Sequence, residues 1–90
     1  MHHYQIEYTD TFGGEANYSW VKRRGLTVSE PDGDNAAARK RYDARVKRDA
    51  KAAVGLTGIR GEWTEYGDTM EFRPRGMCRV LFVTWDDNAN

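Results

Sequence analysis

The sequence predicts an α+β domain in which an antiparallel sheet of about five strands carries one long helix on one face, in the order β-β-α-β-β-β. Three observations lead there. Segments of alternating polarity lie at both ends of the chain, one alanine-rich stretch of helical period lies between them, and turn residues stand at nearly every junction. Ninety residues is the length of one domain, residues 1–90, and with 39% hydrophobic and 31% charged residues its core has to come from a few large side chains.

Residues 3–9 alternate, with Tyr4, Ile6 and Tyr8 on one face and Gln5, Glu7 and Thr9 on the other, the pattern of a half-buried strand. The paired glycines Gly13 and Gly14 turn the chain into a second strand over residues 18–28. There Tyr18 and Trp20 share a parity, and Gly25 interrupts the alternation before Leu26 and Val28, which predicts a bend or bulge near Arg24 and Gly25. Residues 30–34 break regular structure, and Asp34 or Asn35 caps a helix that runs to about Val54 and ends at Gly55. Ala38, Tyr42, Val46, Ala50, Ala53 and Val54 form its narrow apolar stripe, in which Tyr42 and Val46 carry most of the packing. Three more strands follow over residues 59–66, 69–73 and 77–85, joined by Gly67-Asp68 and by Pro74-Arg75-Gly76. The uninterrupted run Val80-Leu81-Phe82-Val83 marks the last as a central strand covered on both sides, and residues 86–90 read as a polar tail.

Fourteen Lys and Arg balance fourteen Asp and Glu, which excludes a uniformly basic nucleic-acid binder and a uniformly acidic DNA mimic. The balance is not local. Arg39, Lys40, Arg41, Arg45, Lys47, Arg48 and Lys51 face only Asp43 and Asp49 between positions 39 and 51, so this segment holds five excess positive charges and the remainder five negative ones. A solvated helix face accounts for such a run, and a contact with nucleic acid or with an acidic partner is the functional alternative. On the second strand Trp20, Lys22, Arg23 and Arg24, with Tyr18, interleave rings and cations, a composition that suits base stacking and phosphate neutralisation but also occurs in sheet cores. The candidate partner-binding residues are therefore Arg39, Arg41, Arg45, Lys47 and Arg48 on the helix and Trp20, Lys22, Arg23 and Arg24 on the strand.

No catalytic or metal-binding set stands out, and no cofactor is expected. Cys78 is the sole cysteine, so neither an internal disulfide nor a multi-cysteine zinc site is open to it, and its strand leads it toward the core as a small hydrophobe. His2 and His3 point to opposite faces of a strand end and make poor joint ligands. Asp86-Asp87 and Glu62, Glu65 and Asp68 lack the spacing of a calcium loop, and Phe12-Gly13-Gly14 is not followed by the residues of a phosphate loop. The single cysteine suits a reducing cytoplasm. The N-terminus lacks the regions of a signal peptide, and Val80 to Val83 is far too short to span a bilayer, so secretion and membrane insertion are not expected.

Residues 8–21, Tyr8-Thr9-Asp10-Thr11-Phe12-Gly13-Gly14-Glu15-Ala16-Asn17-Tyr18-Ser19-Trp20-Val21, together with Ala52 to Gly58 and Arg73 to Cys78, resemble a group of small proteins carried by bacteriophages, prophages and plasmids. In size and layout the chain is also similar to small anti-CRISPR proteins, which bind a host effector complex and block its access to DNA. These resemblances imply a non-catalytic accessory protein of a mobile element. It would act in the bacterial cytoplasm by occluding a host protein or ribonucleoprotein, with direct nucleic-acid binding through the basic helix as the alternative. Aromatic residues on a sheet face not covered by the helix would leave room for a symmetric homodimer.

Overall fold

Alternating segments pair side by side into an antiparallel sheet, and the alanine-rich segment lies across it as a helix. The computed structural model describes residues 1–86. The elements are β1 (His2–Phe12), β2 (Glu15–Val28), α1 (Ala36–Ala53), β3 (Gly61–Tyr66), β4 (Thr69–Pro74) and β5 (Arg79–Trp85). The strands stand in the order β2-β1-β5-β4-β3, all neighbours antiparallel, so β5 is central as its apolar run requires. The expected tail beyond Asp86 lies outside the described residues.

Register puts one set of side chains under the helix. Tyr4, Ile6 and Tyr8 stand opposite Trp85, Val83 and Leu81, and Val83 and Leu81 stand in turn opposite Met70 and Phe72. Ile6, Tyr8, Phe72, Leu81 and Val83 form the core with Val28, Val46, Ala50, Val54 and Leu56, Tyr4 and Met70 pack against it, and Trp85 stays exposed at its end. Each large buried side chain of this core stabilises the fold by roughly 1.5–3 kcal/mol. On α1 the stripe is narrower than expected, because Ala53 is exposed and the buried helix residues are Ala38, Val46 and Ala50. Val46 sits at its centre, and half-buried Tyr42 contributes a hydroxyl bonded to that of Tyr4 at 2.8 Å. Asn35 caps the helix by accepting the Ala38 amide at 2.8 Å, and Gly55, at φ +78°, ends it by letting the Leu56 amide fold back onto the Lys51 carbonyl at 2.8 Å.

The helix starts over Tyr4 and ends over β3 and β4, where Lys47 lies on the Trp63 ring and Lys51 on the Phe72 ring. Gly61 makes this end possible. A Cβ there would stand 2.2 Å from the Arg73 carbonyl oxygen and 2.9 Å from the Phe72 ring.

Away from the helix the sheet is largely polar, carrying Gln5, Glu7, Glu71, Arg73 and Thr84. Cover for β5 on this side comes from side chains. Arg73 on β4 donates to the Gly14 carbonyl in the β1–β2 turn at 2.7 Å, crossing β5 above the fully buried Val80. Phe82, next along this face, stays half-buried.

Three further expectations are corrected. The bulge lies not at Gly25, where Gln5 and Gly25 pair in unbroken register, but at the far end of the hairpin. Thr9 pairs with Val21 and Thr11 with Ala16, so Asp10 alone faces the four residues 17–20. Side chains replace the missing ladder there: Thr9 Oγ1 donates to the Trp20 carbonyl and accepts the Tyr18 amide, while Asp10 accepts from the Ser19 amide and hydroxyl and from Asn17 Nδ2. Second, this bulge cancels the shared parity of Tyr18 and Trp20. Tyr18 takes φ +55° and sends its hydroxyl to Glu7 on the open face, at 2.6 Å, whereas the Trp20 ring meets Tyr8 on the helix side. Third, Cys78 is exposed, because β5 begins one residue later and Met77-Cys78 belong to the turn leading into it.

Candidate binding surface

A cation on a helix either finds a partner within the fold or stays in water, and α1 divides sharply on this point. Arg45 donates to the Ser29 carbonyl and pairs with Asp32, 3.7 Å away, which ties the helix to the segment leaving β2. Lys47 pairs with Asp43 at 2.8 Å, one helical turn back, and its ammonium stands 5.4 Å from the centre of the Trp63 ring. Lys51 donates to the Ile59 carbonyl and covers Phe72 at 4.9 Å. Arg48 is exposed and reaches Asp49 at 3.5 Å.

Arg39, Lys40 and Arg41 differ. All three are exposed, and none forms an ion pair among the described residues. Their position is electrostatically unfavourable. No acidic residue occupies the first turn, where the helix dipole is positive and Arg39 stands, and Arg41 lies one turn from Arg45 with the same charge; only Asp43, one turn from Arg39, offsets part of this.

The strand group does not act as one patch. Lys22 stands opposite Tyr8 and Arg24 opposite Ile6, which puts both on the helix side of edge strand β2. Trp20 joins them there: it packs edge-on to Tyr8, with ring centres 5.3 Å apart, and the Arg79 guanidinium lies 5.4 Å from its ring. Arg23 points the other way and pairs with Glu7 at 3.2 Å. Glu7 also holds the Tyr18 hydroxyl, which raises the pKa of that phenol because the carboxylate favours the protonated donor. Trp20 packs on Tyr8 with one side and is itself exposed with the other, as are Lys22 and Arg24 beside it.

The sequence groups Arg39, Arg41, Arg45, Lys47 and Arg48 together; the structure separates Arg39 and Arg41, unpaired like Lys40, from Arg45 and Lys47, which are engaged within the fold, while Arg48 is exposed and reaches only its neighbour Asp49. Sequence reasoning missed two clefts along α1. One, of about 310 Å³, lies between Lys47, Arg48 and Lys51 on the helix and Trp63 on β3. The other, of about 440 Å³, opens at the start of the helix between Tyr42, Tyr4, His2 and Trp85. The first joins helix residues to the strand that follows the helix, and the second joins residues from both ends of the chain, His2 and Trp85, to the helix between them, an arrangement that only the strand order reveals.

No group of three or more His, Cys, Asp or Glu residues is gathered as a metal site among the described residues; Asp87 lies outside them. No helix is long and apolar enough to cross a membrane. Comparison of the chain with protein-family models, with curated proteins and with solved structures yields no match.

Proposed function

We propose that this protein is a non-catalytic binding protein that covers an acidic surface of its partner, using the outward side of the first half of α1. The observation that carries this reading is the run Arg39, Lys40 and Arg41, exposed and without an ion pair at the positive end of the helix dipole. Folding gains nothing from three cations in that position, whereas an anionic partner surface offsets their mutual repulsion. Lys22 and Arg24, exposed on the helix side of β2, extend the same sign of charge beyond the helix.

The partner we propose is a host protein or ribonucleoprotein, met in the bacterial cytoplasm and blocked by occlusion, as the resemblance to mobile-element proteins and the anti-CRISPR-like layout imply. Occlusion needs shape and charge rather than reacting groups. A second reading, direct nucleic-acid binding, is favoured by the Trp63 cleft, where an aromatic ring stands among Lys47, Arg48 and Lys51. It ranks below the first because Lys47 and Lys51 are already engaged with Asp43 and the Ile59 carbonyl. A homodimer through the open sheet face has less support still, since that face is mainly polar.

The test is affinity capture of the tagged protein from bacterial lysate with and without nuclease, followed by mass spectrometry and a salt titration. A defined protein partner that survives nuclease is the expected result. Recovery of nucleic acid alone, lost on digestion and with an affinity falling steeply with salt, establishes the second reading in its place.

A further inference from the structure

The cleft at the start of α1 differs in chemistry from the cationic ridge outside it. Its walls are rings. Tyr4 and Trp85 are cross-strand partners on β1 and β5, His2 lies two residues before Tyr4 on the same face, and Tyr42 comes down from the helix stripe. The rings are inclined rather than stacked: His2 meets Tyr42 at 62° with centres 5.6 Å apart, and meets Trp85 at 47° and 6.3 Å. The hydrogen bond between the Tyr4 and Tyr42 hydroxyls fixes two of these walls against each other.

Inclined rings enclose a compact volume, whereas a flat ligand calls for parallel faces. A compact group that gains from several π-faces at once is a cation. The rim carries both signs, Asp34 and Asp43 against Arg39. Asp34 and Asp43 both line the cleft, and while Asp43 is shared with Lys47, Asp34 makes no ion pair or side-chain hydrogen bond among the described residues. The cleft also selects the kind of cation. The lining surface is mainly apolar, so methyl groups gain contact with it where the N–H donors of a bare ammonium gain little, and methylation keeps the charge.

We propose that this cleft binds a methylated ammonium group, seated against the rings of His2, Tyr42 and Trp85 with Asp34 as its counter-ion. Arg39, also on the rim, opposes a simple cation, so its neutralisation strengthens binding. Both a free choline-like molecule and a trimethyllysine side chain present this group.

The experiment is an NMR titration of the intact chain with choline, with its uncharged carbon isostere 3,3-dimethylbutan-1-ol, and with N-acetyl-trimethyllysine amide, all at constant ionic strength. The expected result is saturable shifts of the Trp85 indole and the His2 ring for the cations, with the isostere weaker by about tenfold. Whichever cation binds more tightly identifies the source. Trp85→Leu should abolish the saturable shift of the His2 ring. Asp34→Asn, at an exposed loop position, should weaken choline by about threefold and Arg39→Gln should strengthen it, both with the remaining spectrum unchanged. Equal binding of the isostere, shifts confined to other residues, or no saturable shift with either cation overturns the proposal.

Discussion

The two halves of α1 carry nearly the same density of positive charge and put it to different uses. In the second half Arg45, Lys47, Arg48 and Lys51 reach Asp32, Asp43, Asp49, the Ile59 carbonyl and the rings of Trp63 and Phe72. Arg45, Lys47 and Lys51 thereby help to seat the helix, whereas exposed Arg48 reaches only its neighbour Asp49. In the first half Arg39, Lys40 and Arg41 end in water. A basic run is therefore not one feature: the part of it that the fold consumes and the part left for a partner are told apart only by what each ammonium or guanidinium reaches.

This contrast can be broken at several points. The largest effect is expected where the second half meets β3 and β4. Gly61→Ala forces a Cβ against the Arg73 backbone, which cannot give way as a side chain can, and should lower unfolding free energy by about 2–3 kcal/mol in urea denaturation. Next comes Lys51→Ala, which leaves the Ile59 carbonyl without its donor and uncovers Phe72, for a loss of about 1 kcal/mol by the same measurement. Replacing Arg39, Lys40 and Arg41 together by Gln should have the opposite sign, a gain of about 0.5 kcal/mol, because it relieves repulsion near the N-terminal end of the helix dipole. A clear loss of stability from this triple variant would show that these cations too serve the fold.

The bulged hairpin supplies a control far from the helix. Hydrogen bonds from Ser19 and Asn17 lower the Asp10 pKa from an ordinary 3.8 to about 2. Since the folded value is the depressed one, this contribution to stability is fully present above about pH 4 and is lost as pH falls through about 2. Asp10→Asn should flatten that part of an acid-unfolding curve and leave the contrast between the helix halves untouched.

How much of this was legible follows from where the determinants lie. The helix was readable to within a residue because its cap, its stripe and its terminating glycine are all local, at Asn35, Ala38 to Val54, and Gly55. Strand order follows the same logic only in part: Val80 to Val83 marked β5 as central, but nothing local says that β1 is its neighbour. The bulge escaped because it depends on side chains, Thr9 and Asp10, taking over bonds that the backbone ladder ordinarily makes. Much of the most distinctive resemblance, residues 8–21, builds this device, so its shape speaks first of the hairpin. Cys78 escaped because the turn after Pro74 is longer than the strand pattern implied. The division among the cations was hidden for a different reason: Asp32, Ile59 and Trp63 are distant in sequence from the residues they hold.

The central claim concerns which half of the helix meets the partner. It is tested most directly by quantifying partner recovered from nuclease-treated lysate by the wild-type chain, by Arg39→Glu, Lys40→Glu and Arg41→Glu combined, and by Arg48→Glu, each checked for folding by circular dichroism. The triple reversal should reduce recovery by about tenfold or more while Arg48→Glu stays near wild type. Equal recovery by the triple variant would contradict the central claim.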